Sequence, residues 1–389
     1  MTSPDPRSAE RKLGDVAAAA GLRRIHVLMW RDLDDPEAGG SELHAHEIAS
    51  RWARAGLDVT IRTSFAAGHR AVVRRDGYRV VRRAGRYMVF PRAALAELAG
   101  WHGPADGLVE IWNGMPFFSP VWARCPNIVF LHHLHAEMWD MTLPPNLARI
   151  GRLVESRLAP PLYRHTQLVT LSESSKEELV HDMGFDAARV QVVHPGVDAR
   201  FRPAGERSAV PLVVAVGRLV PVKRLHLLID ALAALKPRLP ALEAVLVGEG
   251  YEREALEEQV RRQNAEDWIS LPGRVDDDEL ITLYRRAWVV ASTSAREGWG
   301  MTITEAAACG TPSVATDIAG HRDAIADDAS GILVSRIGDF SKALERVLMD
   351  DDLRARLGAG AIAHAAECNW DATALGTLGA LAAEARRHR

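Results

Sequence analysis

The chain has 389 residues, of which 47% are hydrophobic and 25% charged, and its formal net charge is -3. These are the proportions of an ordinary globular protein, and the length exceeds what one hydrophobic core usually supports, so we expect two domains. No apolar run reaches the roughly 18 to 20 residues of a membrane span, and the Ala-rich stretch 16–22 is too short for a secretion signal. We therefore expect a cytoplasmic protein. Its three cysteines lie far apart without Cys-x-x-Cys spacing, which argues against a disulfide framework or zinc site.

Arginines crowd one segment of the first half, with only Asp76 among them. They are Arg70, Arg74, Arg75, Arg79, Arg82, Arg83, Arg86 and Arg92. Such a segment would attract an anionic acceptor or the inner face of a membrane, giving a peripheral membrane contact. A solvated strand-and-loop surface explains the same residues. Nothing in the composition indicates a nucleic-acid partner or an oligomeric state.

Short β-branched runs alternate with helical patterns along the whole chain, as in parallel α/β sheets. In the first half, strands are predicted at 25–30, 59–62, 108–111, 128–131 and 168–171. The pattern restarts after Pro211, with strands predicted at 212–216, 244–247, 269–271, 289–291 and 313–316. We therefore predict two doubly wound, Rossmann-like domains, 1–204 and 205–365, and a C-terminal helix in 366–389 that packs back on the first. Because ligands bind beyond the C-terminal ends of such strands, two facing domains would define a cleft.

Two glycines follow the first predicted strand and precede a helical pattern. At a helix N-terminus, free N–H groups and the positive end of the helix dipole suit a phosphate, and Gly39 and Gly40 would let it approach the backbone. A plain turn with Ser41 as the N-cap is the alternative.

Three histidines, His132, His133 and His135, follow the predicted strand 128–131. One of them would face a ligand site as a catalytic or sugar-positioning group. A core or capping histidine is an alternative, and a metal cluster is a further one, although no carboxylate stands at a recognised metal spacing.

The loop after the first strand of the second domain carries Arg218 and Lys223, the latter one of only five lysines in the chain. Arginine with its fork and lysine as a point charge could neutralise a diphosphate, unless both are simply solvated. The glycine-bearing turns at Gly248 and Gly273 are weak signals alone.

The densest feature is the run from Arg296 to Pro312, in which a glycine-shaped loop leads into a helix. Glu297 precedes this helix and Glu305 falls in its first turns. Each carboxylate could accept two hydrogen bonds from vicinal sugar or ribose hydroxyls, and the loop amides could hold phosphate or sugar oxygens. If Glu305 were merely a favourable first-turn acid, the loop glycines and Glu297 would stay unexplained.

The run Glu297-Gly-Trp-Gly-Met-Thr-Ile-Thr-Glu305 closely resembles the E-x7-E signature of the retaining, two-domain nucleotide-sugar glycosyltransferases of glycosyltransferase family 4. The resemblance covers about residues 190–335, in the order in which that family carries its motifs. These motifs are Gly217-Arg218 with Lys223, Gly248-Glu-Gly250, Pro272-Gly-Arg274-Val275, and residues 310–317 with Gly320. The first half is similar at fewer points, namely 39–41, the strand ending at His132, 172–174 and 194–198.

The resemblance implies a GT-B architecture and a role for each matched residue. Arg218 and Lys223 would bind the donor diphosphate, Glu305 the ribose and Glu297 the transferred sugar. The remaining donor-binding residues it implies are Gly40, Gly217, Gly248, Arg274, Val275, Gly298, Trp299, Gly300, Met301 and Thr302. His132 would act beside the sugar. Because three histidines crowd where the family shows one or two, His133 and His135 are alternatives for that role, and with Asn113 they are the acceptor-side candidates.

The function that follows is metal-independent transfer of a hexosyl-type sugar from a nucleoside-diphosphate-sugar to a hydroxyl acceptor, with retention of configuration and without a further cofactor. The acceptor class stays open among a glycan, a lipid and a small aglycone. The alternatives are a nucleotide-sugar epimerase or a sugar phosphorylase of the same fold, and a non-catalytic sugar-nucleotide-binding protein.

Overall fold

The computed structural model describes residues 6–136 and 138–389. The chain forms two compact units, which we call the first unit (Met1–Gly196 with Trp370–Arg389) and the second unit (Val197–Asn369). The sequence had placed these divisions near 204 and 365. The segment after Gly196 belongs to the second unit because Phe201 packs on Tyr284 and Arg200 donates to Asp277 at 2.9 Å.

The first unit contains one eight-stranded sheet in the order β3-β4-β2-β1-β5-β6-β7-β8, in which only the β3–β4 pair is antiparallel. Its strands are β1 (Arg24–Leu28), β2 (Asp58–Thr63), β3 (Val72–Arg75), β4 (Tyr78–Arg82), β5 (Gly107–Trp112), β6 (Asn127–Leu131), β7 (Gln167–Thr170) and β8 (Val190–Val192). Its helices before the second unit are α1 (Pro6–Ala20), α2 (Gly40–Arg54), α3 (Val89–Leu98), α4 (Ser119–Trp122), α5 (Met138–Thr142), α6 (Pro145–Leu153), α7 (Pro160–Tyr163) and α8 (Glu173–His181), with a π-helical turn (Val154–Leu158) and a 3-10 turn (Ala187–Arg189).

The second unit contains a six-stranded, entirely parallel sheet in the order β11-β10-β9-β12-β13-β14. Its strands are β9 (Leu212–Val216), β10 (Glu243–Val247), β11 (Ile269–Gly273), β12 (Val289–Ser292), β13 (Ser313–Thr316) and β14 (Gly331–Val334). Its helices are α9 (Leu225–Leu235), α10 (Arg253–Arg262), α11 (Asp277–Arg286), α12 (Met301–Ala308), α13 (His321–Ala324), α14 (Phe340–Met349) and α15 (Asp351–Ala365), with 3-10 turns at Pro221–Lys223 and Ile337–Asp339.

The last helix, α16 (Trp370–Arg387), returns to the first unit and packs against α1 and α2. Leu378 and Leu381 are fully buried there, and the Trp52 indole donates to the Ala374 carbonyl at 3.0 Å. In both units β-branched strand residues contribute to the buried core, and several polar side chains of the candidate site lie in loops that follow strand ends. Within the described ranges, no helix is both long and apolar enough to pass through a membrane.

Candidate active site

The loops that follow β9 and β10 touch each other at the C-terminal end of the second sheet. Leu219 N–H donates to the Glu249 carbonyl at 2.8 Å. Gly248 has φ = +143°, and a Cβ there would lie 1.9 Å from the Gly217 carbonyl oxygen. Glycine is therefore required at Gly248 for the close approach of two loops, whatever ligand they hold.

An ion pair between Lys223 and Glu297 joins the loops after β9 and β12. The Lys223 ammonium donates to Glu297 Oε1, and Ser294 Oγ donates to the same oxygen at 2.8 Å. Burial alone would raise the pKa of Glu297, but Lys223, His321 and Ser294 together lower it to about 2. The carboxylate is therefore ionised throughout the physiological pH range.

Backbone contacts fix Lys223 in this position. Thr293 Oγ1 lies 3.0 Å from the carbonyl oxygens of Lys223 and of Arg224. Arg224 adopts a left-handed backbone with φ = +47°, and its guanidinium donates to the Thr293 and Ser294 carbonyls at 3.1 and 3.0 Å. Ala295 N–H donates to the Val222 carbonyl at 2.7 Å. Thr293, Ser294 and Arg224 thus support the site, and none of them was singled out from the sequence.

The loop 297–300 is held by the segment after β13. Gly320 has φ = +86°, and a Cβ there would lie 2.6 Å from the Glu297 carbonyl oxygen and 2.8 Å from Trp299 N. His321 is fully buried, with Nδ1 2.8 Å from the Thr316 carbonyl. The Trp299 indole donates to Thr304 Oγ1 at 2.7 Å and is buried. Its side chain therefore packs within the loop, and any ligand contact of Trp299 falls to its main chain.

Glu305 lies on α12 and has a different environment from Glu297. Tyr284 Oη donates to Glu305 Oε2 at 2.9 Å. Burial raises the pKa of Glu305 to about 7, with Asp277 and Asp198 adding to the rise and the Tyr284 hydrogen bond opposing it. This carboxyl therefore changes its ionisation near neutral pH.

The other sequence-predicted residues of the second unit lie at the same end of the sheet. Gly217 and Arg218 are half-buried directly after β9, and Arg274 and Val275 follow β11, with Arg274 exposed. Gly298 is buried, Gly300 is the N-cap of α12 with φ = +106°, and Met301 and Thr302 are half-buried in the first turn of that helix.

In the first unit, Gly40 is the first residue of α2 and Gly39 its N-cap, so the expectation of Ser41 as the N-cap was wrong. Glu42 folds back instead, and its Oε2 accepts from Gly39 N–H at 2.8 Å and from Ser41 Oγ at 2.9 Å. The side-chain amide of Asn113, after β5, donates to Ser41 Oγ at 2.9 Å. Asn113 and the glycine turn are therefore neighbours, as parallel strand ends predict.

His132 is buried directly after β6 and contacts His44, a residue of α2 that the sequence did not single out. His132 Nε2 lies 3.3 Å from His44 Nδ1, and the two rings meet edge to face. Burial lowers the pKa of His44 to about 3 and that of His132 well below its usual value. Both imidazoles are therefore neutral. Considering only the residues that the structure describes, His132 Nδ1 and His44 Nε2 are buried without a hydrogen-bond partner.

His133 and His135 stack on each other with ring centroids 5.0 Å apart. Their loop is organised by Glu155 of the π-helical turn, which accepts from His135 N–H at 2.8 Å and from the Trp139 indole at 3.0 Å. No group of three or more His, Cys, Asp and Glu side chains within residues 6–136 and 138–389 is arranged to hold a metal ion.

The arginine-rich segment is opposed by more than Asp76, contrary to the sequence-based expectation. Its carboxylate partners come from the loop after β1, far away in the sequence. Asp32 and Arg82 form a buried ion pair at 2.5 Å, and Arg75 also bonds Asp32, at 3.1 Å. Arg86 bonds Asp35 at 3.2 Å. The side chains that remain exposed are those of Arg70, Arg74, Arg83 and Arg92.

The two α/β units have the GT-B fold, which solved structures share along most of their length. A sucrose-phosphate synthase from Thermosynechococcus elongatus matches with a TM-score of 0.78 at 19% identity, covering 91% of this chain and 97% of that one. The Anabaena protein HepE, solved in complex with UDP-glucose, matches with a TM-score of 0.71 at 20% identity, covering 94% and 100%.

Sequence comparison identifies the family. The model of glycosyltransferase family 4 matches residues 38–201, and that of the group 1 glycosyl transferases matches residues 198–364. A D-inositol 3-phosphate glycosyltransferase of Kribbella flavida is 35% identical, covering 92% of this chain and 95% of its own. One from Streptomyces bingchenggensis is 28% identical, covering 97% and 92%. This chain belongs to the group 1, family 4 glycosyltransferases and is an enzyme of that kind.

Proposed function

We propose that this glycosyltransferase moves a hexosyl-type sugar from a nucleoside-diphosphate-sugar to a hydroxyl acceptor, with retention and without a metal. The observation that carries the proposal is the Lys223–Glu297 pair beside the N-terminus of α12. A cation, a carboxylate and the N-terminal end of a helix lie within one loop cluster, and such groups suit the phosphates and the sugar hydroxyls of a sugar diphosphate. The UDP-glucose in the HepE structure supports the same donor class.

Lys223 bonds Glu297, and donor binding would replace that bond. Lys223 and Arg218 would face the diphosphate, while Glu297 would accept hydroxyl hydrogen bonds from the sugar. Negative charge that develops on the departing diphosphate would then be stabilised by Lys223, Arg218 and the α12 amides. The acceptor would attack on the face that the leaving group vacates, and the departing phosphate would take the acceptor proton.

On the acceptor side we propose Asn113, His133 and His135 of the first unit, whereas Gly40 and His132 would act toward the phosphates and the sugar of the donor. The neutral imidazole of His132 would hydrogen-bond a sugar hydroxyl through Nδ1. Because the relatives are named for D-inositol 3-phosphate, that polyol phosphate is the first acceptor to assay. A glycan, a lipid and a small aglycone are the next.

A thermal-shift screen with UDP-, GDP-, ADP- and TDP-sugars tests the donor class, since a ligand that binds only the folded state must raise its stability. Transfer is then assayed with the bound donor, with and without EDTA, and the anomeric configuration of the product is read by proton NMR. No shift with any donor would overturn the proposal. An epimer, or sugar phosphate formed only with added phosphate, would establish the alternative enzymes instead.

We further propose that the enzyme is cytoplasmic and contacts the inner face of the membrane through the arginines of segment 70–92 that stay exposed. The four side chains concerned are Arg70, Arg74, Arg83 and Arg92, each worth about 1 kcal/mol near an anionic surface. Co-sedimentation with anionic and neutral vesicles tests this, comparing the wild type with a variant that carries Gln at all four positions. Equal binding by both proteins would contradict it.

A further inference from the structure

The two glutamates of the E-x7-E run are held by different chemistry. Glu297 bonds an ammonium and a hydroxyl, whereas Glu305 accepts from the neutral phenol of Tyr284. Among the contacts of the described residues, Glu305 makes no ion pair within 4.0 Å. Glu297 is therefore charged and paired with a cation, whereas Glu305 is held by a neutral donor.

Tyr284 is fixed by its surroundings. It lies in the last turn of α11, is fully buried, and packs with Phe201 at a ring-centroid distance of 6.0 Å. Its carbonyl accepts from Thr311 Oγ1 at 2.6 Å. Burial, together with the neighbouring Glu305 carboxylate, raises the pKa of the phenol well above its usual value, so the O–H stays protonated and can only donate to Oε2.

The charged and titratable groups that face Glu305 act in opposite directions. Tyr284, on α11, stabilises the carboxylate form, while Asp277 at the start of α11 and Asp198 before β9 disfavour it. Arg200 bonds both aspartates, at 2.9 Å to Asp277 and 3.2 Å to Asp198. Cys309, the C-cap residue of α12, is neutral because burial raises the pKa of its thiol to about 11.

We propose that Tyr284 is a positioning residue for donor binding: its O–H holds Glu305 Oε2 and leaves Oε1 for the ribose hydroxyls, so that binding requires a deprotonated Glu305. The inference rests on the proposed function. Tyr284 touches no reacting atom, and it acts only through the orientation and ionisation of Glu305.

The consequence is a pH-dependent donor affinity. With the Glu305 pKa at about 7, only about a tenth of the molecules carry the carboxylate one pH unit lower. The apparent dissociation constant rises by the inverse of the competent fraction, so binding weakens about tenfold for each pH unit below the pKa. Affinity therefore improves as the pH rises through 7 and then levels off.

Calorimetric titration with UDP-glucose from about pH 5.5 to about pH 8.5 tests this directly. Each phosphorus of this probe carries one ester link and one anhydride link, so neither has a second acidic hydroxyl that would titrate near neutral pH. Tyr284→Phe should move the midpoint to higher pH and weaken binding at pH 7 roughly tenfold, because a hydrogen bond to the charged form is lost. Asp277→Asn should move the midpoint to lower pH. A general loss of folding cannot move the midpoint of the pH profile in opposite directions in these two variants.

Tyr163→Phe is the matched control, because its phenol donates to a buried carboxylate, Glu110 Oε1, at 2.8 Å in the first unit. It should leave the midpoint unchanged. The inference is overturned if Tyr284→Phe keeps the wild-type profile or weakens binding equally at every pH, with thermal unfolding confirming that the variant is folded. If the wild type binds no nucleotide-sugar at all, the proposed function fails instead.

Discussion

The two units use charge in opposite ways. In the second unit Lys223 and Glu297 lie in the loops after β9 and β12, and their paired side chains are 21% and 18% exposed. In the first unit Arg82 and Asp32 are 1% and 0% exposed, and the residues proposed to meet a ligand include the neutral imidazole of His132 and the amide of Asn113. Charge in the first unit therefore holds the loop after β1, whereas charge in the second unit remains within reach of a ligand.

The largest effect is expected from Lys223→Met. It removes the cation proposed to meet the diphosphate, and it leaves Glu297 without its ion-pair partner. We expect kcat/KM to fall about a thousandfold, which corresponds to about 4 kcal/mol of transition-state stabilisation. Steady-state kinetics with the donor found by the thermal-shift screen measures it.

Lys236→Met is the matched control for that variant. Lys236 belongs to the same unit, donates to the Leu242 carbonyl at 2.8 Å and lies over the Trp268 ring, away from the strand-end loops. Its activity should stay within about twofold of the wild type, since it contacts no residue of the site. Equal losses in both variants would show that Lys223 acts through folding and not through the ligand.

The next largest effect, now on stability, is expected from Asp32→Asn in the first unit. It leaves the buried Arg82 with Asp34 as its remaining carboxylate partner among the described residues, which should lower the free energy of unfolding by about 3 kcal/mol. Asp34→Asn, whose side chain is 30% exposed, should cost well under half as much. Denaturant unfolding measures both, and equal costs would contradict the scaffold role of Asp32.

The pH dependence of stability gives a second test of the role of Asp32, in which the wild type is compared with Asp32→Asn. Burial would raise the pKa of Asp32, but His46, Arg75 and Arg82 lower it well below its usual value. Its contribution to stability is therefore present above the usual aspartate pKa and is lost as the pH falls below it. The stability gap between the wild type and Asp32→Asn should narrow in acid.

The strand-end loops of the second unit could be predicted from the sequence because each loop directly follows a recognisable strand. Lys223 follows β9, Glu297 follows β12, and parallel strands bring their C-terminal ends to one edge. The sequence did not predict Tyr284 as the partner of Glu305, because that hydrogen bond joins two helices and leaves no local pattern. Thr293 and His44 were not predicted either, because their partners Arg224 and His132 are distant in the sequence.

The first unit was less predictable for the same physical reason. Strands β3 and β4 were missed because arginines interrupt the apolar alternation, and Arg82 is buried only through a carboxylate 50 residues away. A buried ion pair between distant residues looks like two unrelated surface charges in a sequence. The arginine segment consequently looked more available to a membrane or an acceptor than the structure makes it.

A smaller effect on stability is expected from Gly320→Ala, which tests how the loop at Glu297 is held. The added Cβ would need a positive φ and would meet backbone atoms of Glu297 and Trp299. We expect a loss of about 2 kcal/mol in the free energy of unfolding, with donor affinity reduced in the fraction that folds. Gly338→Ala, at a site with open space around the Cβ, should be nearly neutral. Equal stability of the two variants would contradict the close approach of Gly320 to the backbone of Glu297 and Trp299.

The smallest effect is expected at the histidines of the first unit. His132→Asn should lower kcat/KM about tenfold, the value of one hydrogen bond, because a neutral buried imidazole can orient a hydroxyl but cannot supply a charge. His133→Asn should change it less than about twofold, since that ring is stacked on His135 in a loop held by Glu155. A larger loss of kcat/KM in His133→Asn than in His132→Asn would indicate that His133, and not His132, contacts the sugar.

The pH profile separates His132 from Glu305. Because burial holds the pKa of His132 well below its usual value, its ionisation does not change between about pH 6 and pH 8. His132→Asn should therefore lower activity by the same factor across that range, whereas Tyr284→Phe should shift the midpoint. A pH-dependent loss in His132→Asn would mean that the imidazole titrates during turnover, and the proposed contrast between a neutral His132 in the first unit and the charged Lys223–Glu297 pair in the second would then fail.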